Sequence, residues 1–176
     1  IIFFNGLGDA IQKVYGLLQR ESRVIGPSPT YSTHSSGEAA HAGQSPICYR
    51  LDPANNWFPD LDDLRLAIQD DPPISGILII NPDNPTGAVW PERILKEMVA
   101  IAKEYDLFII ADEIYQNIVY NGQSTKPISD LIGDVPAISM KESARSYHGQ
   151  DHAVAGLKFI TLIRIRCSNA TSRALL

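Results

Sequence analysis

The chain has 176 residues, 44% hydrophobic and 20% charged, with a formal net charge of −5. That length supports one domain with a sizeable core, and the composition is ordinary for a soluble globular protein. The negative balance argues against a nucleic-acid binder, which would carry a basic stripe. No apolar run is long enough for a membrane helix. The opening Ile1-Ile2-Phe3-Phe4-Asn5 lacks the basic region and cleavage site of a signal peptide, so a cytoplasmic address is expected. It reads as an internal strand, as if the chain were cut from a larger protein. Cys48 and Cys167 fit no zinc or redox spacing and read as buried or incidental thiols. His34, His41, His148 and His152 form no ligand cluster, and no metal site is expected.

In chain order, residues 1–4 read as a strand end and Asn5-Gly6-Leu7-Gly8-Asp9 as a tight turn. Ile11, Val14, Tyr15 and Leu18 recur at helical spacing, predicting a helix to about Arg20. Arg23 to Ile25 reads as a short strand stopped by Gly26-Pro27-Ser28-Pro29, and Thr30 to Gly43 as small polar loop and helix. Ile47 to Leu51 is strand-like. Leu61, Leu64 and Ile68 mark a helix with Asp60 as N-cap. Gly76 to Ile80 is apolar on both faces, the habit of a strand in a parallel sheet covered on both sides. Pro91 opens a helix at a favoured first-turn position, with Ile94, Leu95, Met98, Ile101 and Ala102 as its apolar stripe. Leu107 to Ala111 is a second fully apolar strand, and Val135 to Met140 a third candidate. Strands alternating with helices predict an α/β fold, a mostly parallel sheet flanked by helices. Ligands of such sheets sit beyond the carboxyl ends of the strands. Three polar clusters fall there: the Gly6 turn, the loop 81–87, and Asp112 to Tyr115.

The Gly6-Leu7-Gly8 turn runs straight into a helix, where free N–H groups and the helix dipole favour a phosphate. Read alone, a structural turn is the plainer reading. More specific are Asn81-Pro82-Asp83-Asn84-Pro85-Thr86-Gly87 and Ala111-Asp112-Glu113-Ile114-Tyr115. In this order and at this separation they resemble the class I/II aminotransferases, fold-type I enzymes dependent on pyridoxal 5'-phosphate (PLP). The resemblance runs from about Ile1 to Lys141.

That resemblance implies a role for each matching residue. Asn84 and Tyr115 would hydrogen-bond the phenolic oxygen of the cofactor ring. Asp112 would face the ring nitrogen and keep it protonated, since a nearby carboxylate favours the cationic form. Gly6, Leu7 and Gly8 match the phosphate-binding turn, and Tyr31 matches the aromatic that stacks on the ring. Glu113 is assigned no chemistry, and His34 and His41 read as solvated loop residues. The family moves an amino group between an amino acid and a 2-oxo acid, and its members are usually homodimers. A β-lyase or decarboxylase on the same scaffold, or a non-catalytic PLP-binding fragment, would carry the same motifs.

The pattern breaks after Lys141. The family's Schiff-base lysine is expected at the position of Arg145, which stays protonated and cannot act as nucleophile. Its downstream phosphate-binding arginine is replaced by Ala153, and the C-terminal substrate-binding arginine has no counterpart. Inserting one G after the Lys141 codon, with synonymous codons chosen for the residues beyond it, yields K-G-I-S-K-E-L-P-W-P-G-S-R-C-G-W-I-E-V. That string restores the lysine, the arginine and a Gly-Trp pair. The sequence therefore divides into a PLP-binding large-domain fragment, 1–141, and a tail, 142–176, expected to be out of frame. No catalytic lysine is expected in the chain as it stands.

Overall fold

The computed structural model describes residues 2–70, 73–142 and 159–165. These residues form eight strands and four α-helices: β1 Ile2–Asn5, α1 Leu7–Leu17, β2 Arg23–Ser28, α2 Ser32–Ala42, β3 Cys48–Asp52, β4 Phe58–Pro59, α3 Leu61–Gln69, β5 Ile74–Ile80, α4 Glu92–Glu104, β6 Phe108–Asp112, β7 Ala137–Glu142 and β8 Phe159–Ile165. One sheet holds all the strands, in the order β1-β8-β7-β6-β5-β2-β3-β4. The run from β7 through β6, β5 and β2 to β3 is parallel throughout. β8 is antiparallel to both of its neighbours, β7 and β1, so β1 points the same way as the parallel strands. The short β4 closes a hairpin on β3. The sheet is therefore mostly parallel, as predicted.

Successive side chains along a strand point to opposite faces, so strands that are apolar throughout supply two cores. On one face Ile77 and Ile79 of β5 and Ile109 and Ala111 of β6 meet α3 and α4 through Leu64, Ile68, Leu95 and Met98. On the other, Leu78, Ile80, Phe108, Ile110 and Met140 meet α1 through Ala10, Ile11 and Val14. Asp60 caps α3 as predicted, its carboxylate accepting from the Asp63 N–H at 3.1 Å.

Several boundaries differ from the sequence reading. β2 continues through Pro27 to Ser28. Its pairing with β5 ends at Ile25, and the Gly26 N–H bonds Ile47 O on the β3 side. The missing N–H of Pro27 thus faces the side where the ladder has stopped, the placement that tolerates proline. α1 ends at Leu17 rather than near Arg20, because Leu18 is extended. Pro91 precedes the first turn of α4 as its N-cap, and its carbonyl accepts from Ile94 at 2.9 Å. Cys48 is exposed, not buried, and Cys167, His148 and His152 lie outside the described residues. Among the described residues no helix is long and apolar enough to cross a membrane.

Gly76 lies opposite Phe108 in the parallel register. A Cβ there would sit 2.4 Å from Cε2 of the Phe108 ring, far inside contact distance. Gly76→Ala is expected to lower stability by about 1–3 kcal/mol, the usual cost of overpacking. Adding Phe108→Leu should return part of that loss. Urea denaturation of both variants measures the difference, and an unchanged midpoint for the single variant would contradict the packing argument.

Candidate functional site

The turn after β1, the loop after β2, the loop after β5 and the last residue of β6 all lie at the carboxyl edge of the sheet. The strands themselves tie two of these together. Ile80 is level with Asp112 in the β5–β6 register, and the next residue, Asn81, donates its N–H to Asp112 O at 3.0 Å.

Asp112 is buried and turns its side chain toward α2. One carboxylate oxygen, Oδ2, lies 3.1 Å from His34 Nε2, and the other, Oδ1, accepts from the Ile114 N–H at 3.1 Å. Among the described residues each oxygen has one side-chain or backbone partner, and a carboxylate offers about four acceptor sites. His34 is fully buried on α2, so the solvated reading of this residue is corrected. Its burial follows from its place on the inward face of α2, facing the Asp112 carboxylate. Among the described residues the other ring nitrogen, Nδ1, has no hydrogen-bonding partner. Tyr31, the N-cap of α2, stands edge-on to the His34 ring at 6.2 Å between centroids, and Tyr15 of α1 does so at 6.3 Å. His41 is half-buried, its Nε2 3.0 Å from Ser22 O, and so is not a free loop side chain either.

The Gly6 turn reaches this cluster through α1, which carries Tyr15. Gly6 is the N-cap of α1 with φ +96°, a conformation that side-chain-bearing residues rarely adopt, and no side chain caps the helix. The first-turn N–H groups are left for an acceptor, an arrangement suited to a phosphate. Asp9 in that turn points back, accepting from Asn5 N at 3.3 Å.

Asn84 and Tyr115 line one open cavity of about 410 Å³, together with Pro82, Asp83, Pro85 and Ile118. The loop that presents Asn84 is fixed by Asn81. Its Oδ1 accepts from Trp90 N at 2.8 Å and its Nδ2 donates to Thr125 Oγ1 at 2.6 Å. Asn81 therefore shapes the site without belonging to it.

Glu113 points away from Asp112, as the neighbouring position should. Its carboxylate accepts from Ile128 N at 2.7 Å and from Ser139 Oγ, and Lys141 Nζ lies 3.6 Å from Oε2. It staples the segment after β6 to β7. It also holds the amine of Lys141, the lysine nearest the expected position in the sequence, on the Glu113 side rather than with His34 and Asp112. Arg145 and Ala153 lie outside the described residues. His34, Asn81 and Glu113 are thus the site-shaping residues that the sequence reading passed over.

Asp83 is also buried. Its Oδ2 accepts from Thr86 N at 3.2 Å and from Thr86 Oγ1, while its Oδ1 has no partner. Burial, more than its hydrogen bonds can offset, raises its pKa above the usual carboxylate value. A carboxyl raised in the folded state favours folding most when protonated, and that contribution is lost as pH rises through the raised value. Asp83→Asn keeps an acceptor for Thr86 and removes the charge. It is expected to raise Tm more at pH 7 than at pH 4. An equal or smaller gain at pH 7 would contradict the assignment.

Comparisons with known proteins bear on the family and the fold. The sequence profile of the family aminotransferase class I and II matches residues 1–145. An uncharacterized aminotransferase of Methanocaldococcus jannaschii is 63% identical over 141 residues, which are 80% of this chain and 33% of that protein. The glutamate-pyruvate aminotransferase of Escherichia coli is 37% identical over 144 residues, 81% of this chain and 35% of that one. The PLP-bound C-S lyase from Staphylococcus hominis superposes with a TM-score of 0.79 at 25% identity, covering 93% of this chain and 41% of its own. The chain spans about a third of the length of the curated relatives it matches. On the family match, the identity to these relatives and the mostly parallel α/β sheet, this chain belongs to the class I and II aminotransferases.

Proposed function

We propose that the chain is the cofactor-holding part of a PLP-dependent enzyme that moves an amino group between an amino acid and a 2-oxo acid. The observation that carries this reading is the buried Asp112 carboxylate at the carboxyl edge of β6. It is held by His34 and the Ile114 N–H. Bound PLP supplies an electron sink, which a protonated ring nitrogen strengthens.

The residues present fit that group. Asp112 would hold the proton on the ring nitrogen, with its own orientation fixed by His34. Asn84 and Tyr115, which share a cavity, would bond the phenolic oxygen. The uncapped N–H groups after Gly6 would take the phosphate. Tyr31, already against His34, would cover one ring face. The likeness to the glutamate-pyruvate enzyme supports an alanine-type or glutamate-type donor. Homodimerisation and a cytoplasmic address go with the family reading. A β-lyase reaction is the second reading, favoured by the likeness to the C-S lyase.

The lysine that the family uses as nucleophile and proton carrier would be encoded one base out of frame after Lys141. The end of the family match at residue 145, within four residues of that point, supports this. Resequencing the coding segment tests it: one additional base after codon 141 is expected, and a clean read in the present frame, with no family-like coding in the shifted frame, would contradict it.

Two measurements test the function. Mixed with PLP, reduced with borohydride and mapped by mass, the present chain should yield no single lysine modified stoichiometrically, only scattered labelling of exposed lysines. A single modified lysine, Lys141 included, would overturn the account of the missing nucleophile. The full-length protein with the frame restored should turn over only when a 2-oxo acid is supplied. In that protein Asp112→Ala should lower kcat by roughly 10²-fold or more, the scale for removing one charge-stabilising group. Release of thiol and ammonia without a 2-oxo acid would favour the lyase reading instead.

A further inference from the structure

Helix α2 docks on the sheet in an unusual way. Its only buried side chains are His34 and Glu38, and both are ionisable. Helices of globular domains usually dock through an apolar stripe. In α2 the stripe at positions 34, 38 and 41 is polar throughout, and each member has a polar partner on or beside the sheet. His34 meets Asp112 of β6 at 3.1 Å, and His41 meets Ser22 O just before β2 at 3.0 Å. Between them Glu38 takes two bonds from Arg23 of β2, Nε to Oε1 at 2.6 Å and Nη2 to Oε2 at 3.2 Å. Arg23 is itself buried, and it also donates to Gln44 Oε1 at 3.3 Å and Ser45 O at 2.8 Å in the segment after α2. Gly37, on the α1 side of α2, brings the two helices into close contact, since a Cβ there would sit 2.9 Å from Tyr15 Cδ2.

We infer that Arg23 and Glu38 are positioning residues for Asp112, acting through α2 and His34. A bidentate guanidinium–carboxylate pair fixes both distance and orientation. Glu38 and His34 are one helical turn apart, about 6 Å along a stiff helix. A slip of about 1 Å at Glu38 is therefore passed to His34, and a 3.1 Å hydrogen bond lengthened by that much is no longer one. Apart from the close approach of Gly37 to α1, which bears on a different face, α2 has no buried apolar side chain to resist the slip. The functional meaning rests on the reading of Asp112 as the partner of the ring nitrogen, but the mechanical claim does not.

The test uses the full chain with ¹⁵N-labelled histidine and reads the His34 ring nitrogens by NMR. His34→Gln assigns the signal, and Asp112→Ala gives its position without the carboxylate. Glu38→Gln weakens the pair, and the double variant Arg23→Met/Glu38→Leu replaces it with apolar side chains of similar size, an exchange that folded proteins often accept without loss of stability. In both variants the His34 signal is expected to move toward its position in Asp112→Ala, while the double variant unfolds cooperatively near the original Tm. A His34 signal that stays at the unmodified position in a folded double variant would overturn the inference. So would a double variant with no cooperative unfolding, because the pair would then hold the fold rather than set one contact within it. PLP titration of the same proteins is read separately. Failure of the unmodified chain to bind PLP would contradict the cofactor reading and leave the His34 signal to decide the positioning claim.

Discussion

The contact between Asp112 and His34 orients the one carboxylate on which the cofactor reading depends. A buried carboxylate without partners is costly, and a protein usually responds by neutralising it. Here the last residue of β6 is buried because β6 is covered on both faces, yet its carboxylate keeps two hydrogen-bonding partners. The imidazole satisfies one oxygen without using all its lone pairs. The outcome is an oriented negative group at the carboxyl edge of a parallel sheet, where ligands of such folds bind.

The period of two along β6 then divides labour between neighbours. Asp112 turns to α2 and the site. Glu113, one residue on, turns to the opposite side, accepts bonds from Ile128 N and Ser139, and draws in Lys141. The two acidic residues of one short motif therefore do different work for a geometric reason. The same alternation in β5 builds both cores. The β5–β6 register places the end of β5 level with Asp112, so that the loop bearing Asn84 begins beside it. The candidate site is a consequence of register as much as of residue type.

Much of this was legible in the sequence. The fully apolar runs at 76–80 and 107–111 announced buried parallel strands, because burial on both faces leaves no polar alternation. Asp60 announced the start of α3 by its side-chain chemistry. The motifs carrying Asn84, Asp112 and Tyr115 were distinctive enough to point to a cofactor and to the edge where it would sit. What escaped was the buried face of α2, within a stretch that reads as loop and helix. Its inward face is His34, Glu38 and His41, and a search for apolar periodicity passes over a helix whose buried side chains are ionisable. The histidine at its centre was therefore read as a solvated loop residue. The extension of β2 through Pro27 escaped for a related reason. Proline is excluded from a ladder only where its missing N–H is needed, and that depends on which neighbour has already ended.

The most direct test of the account is a crystal structure of the chain soaked with PLP. The account predicts the ring nitrogen within hydrogen-bonding distance of an Asp112 carboxylate oxygen, the phenolic oxygen facing Asn84 and Tyr115, and the phosphate on the first-turn N–H groups after Gly6. PLP bound elsewhere on the chain, or bound with its ring nitrogen turned away from Asp112, would contradict it.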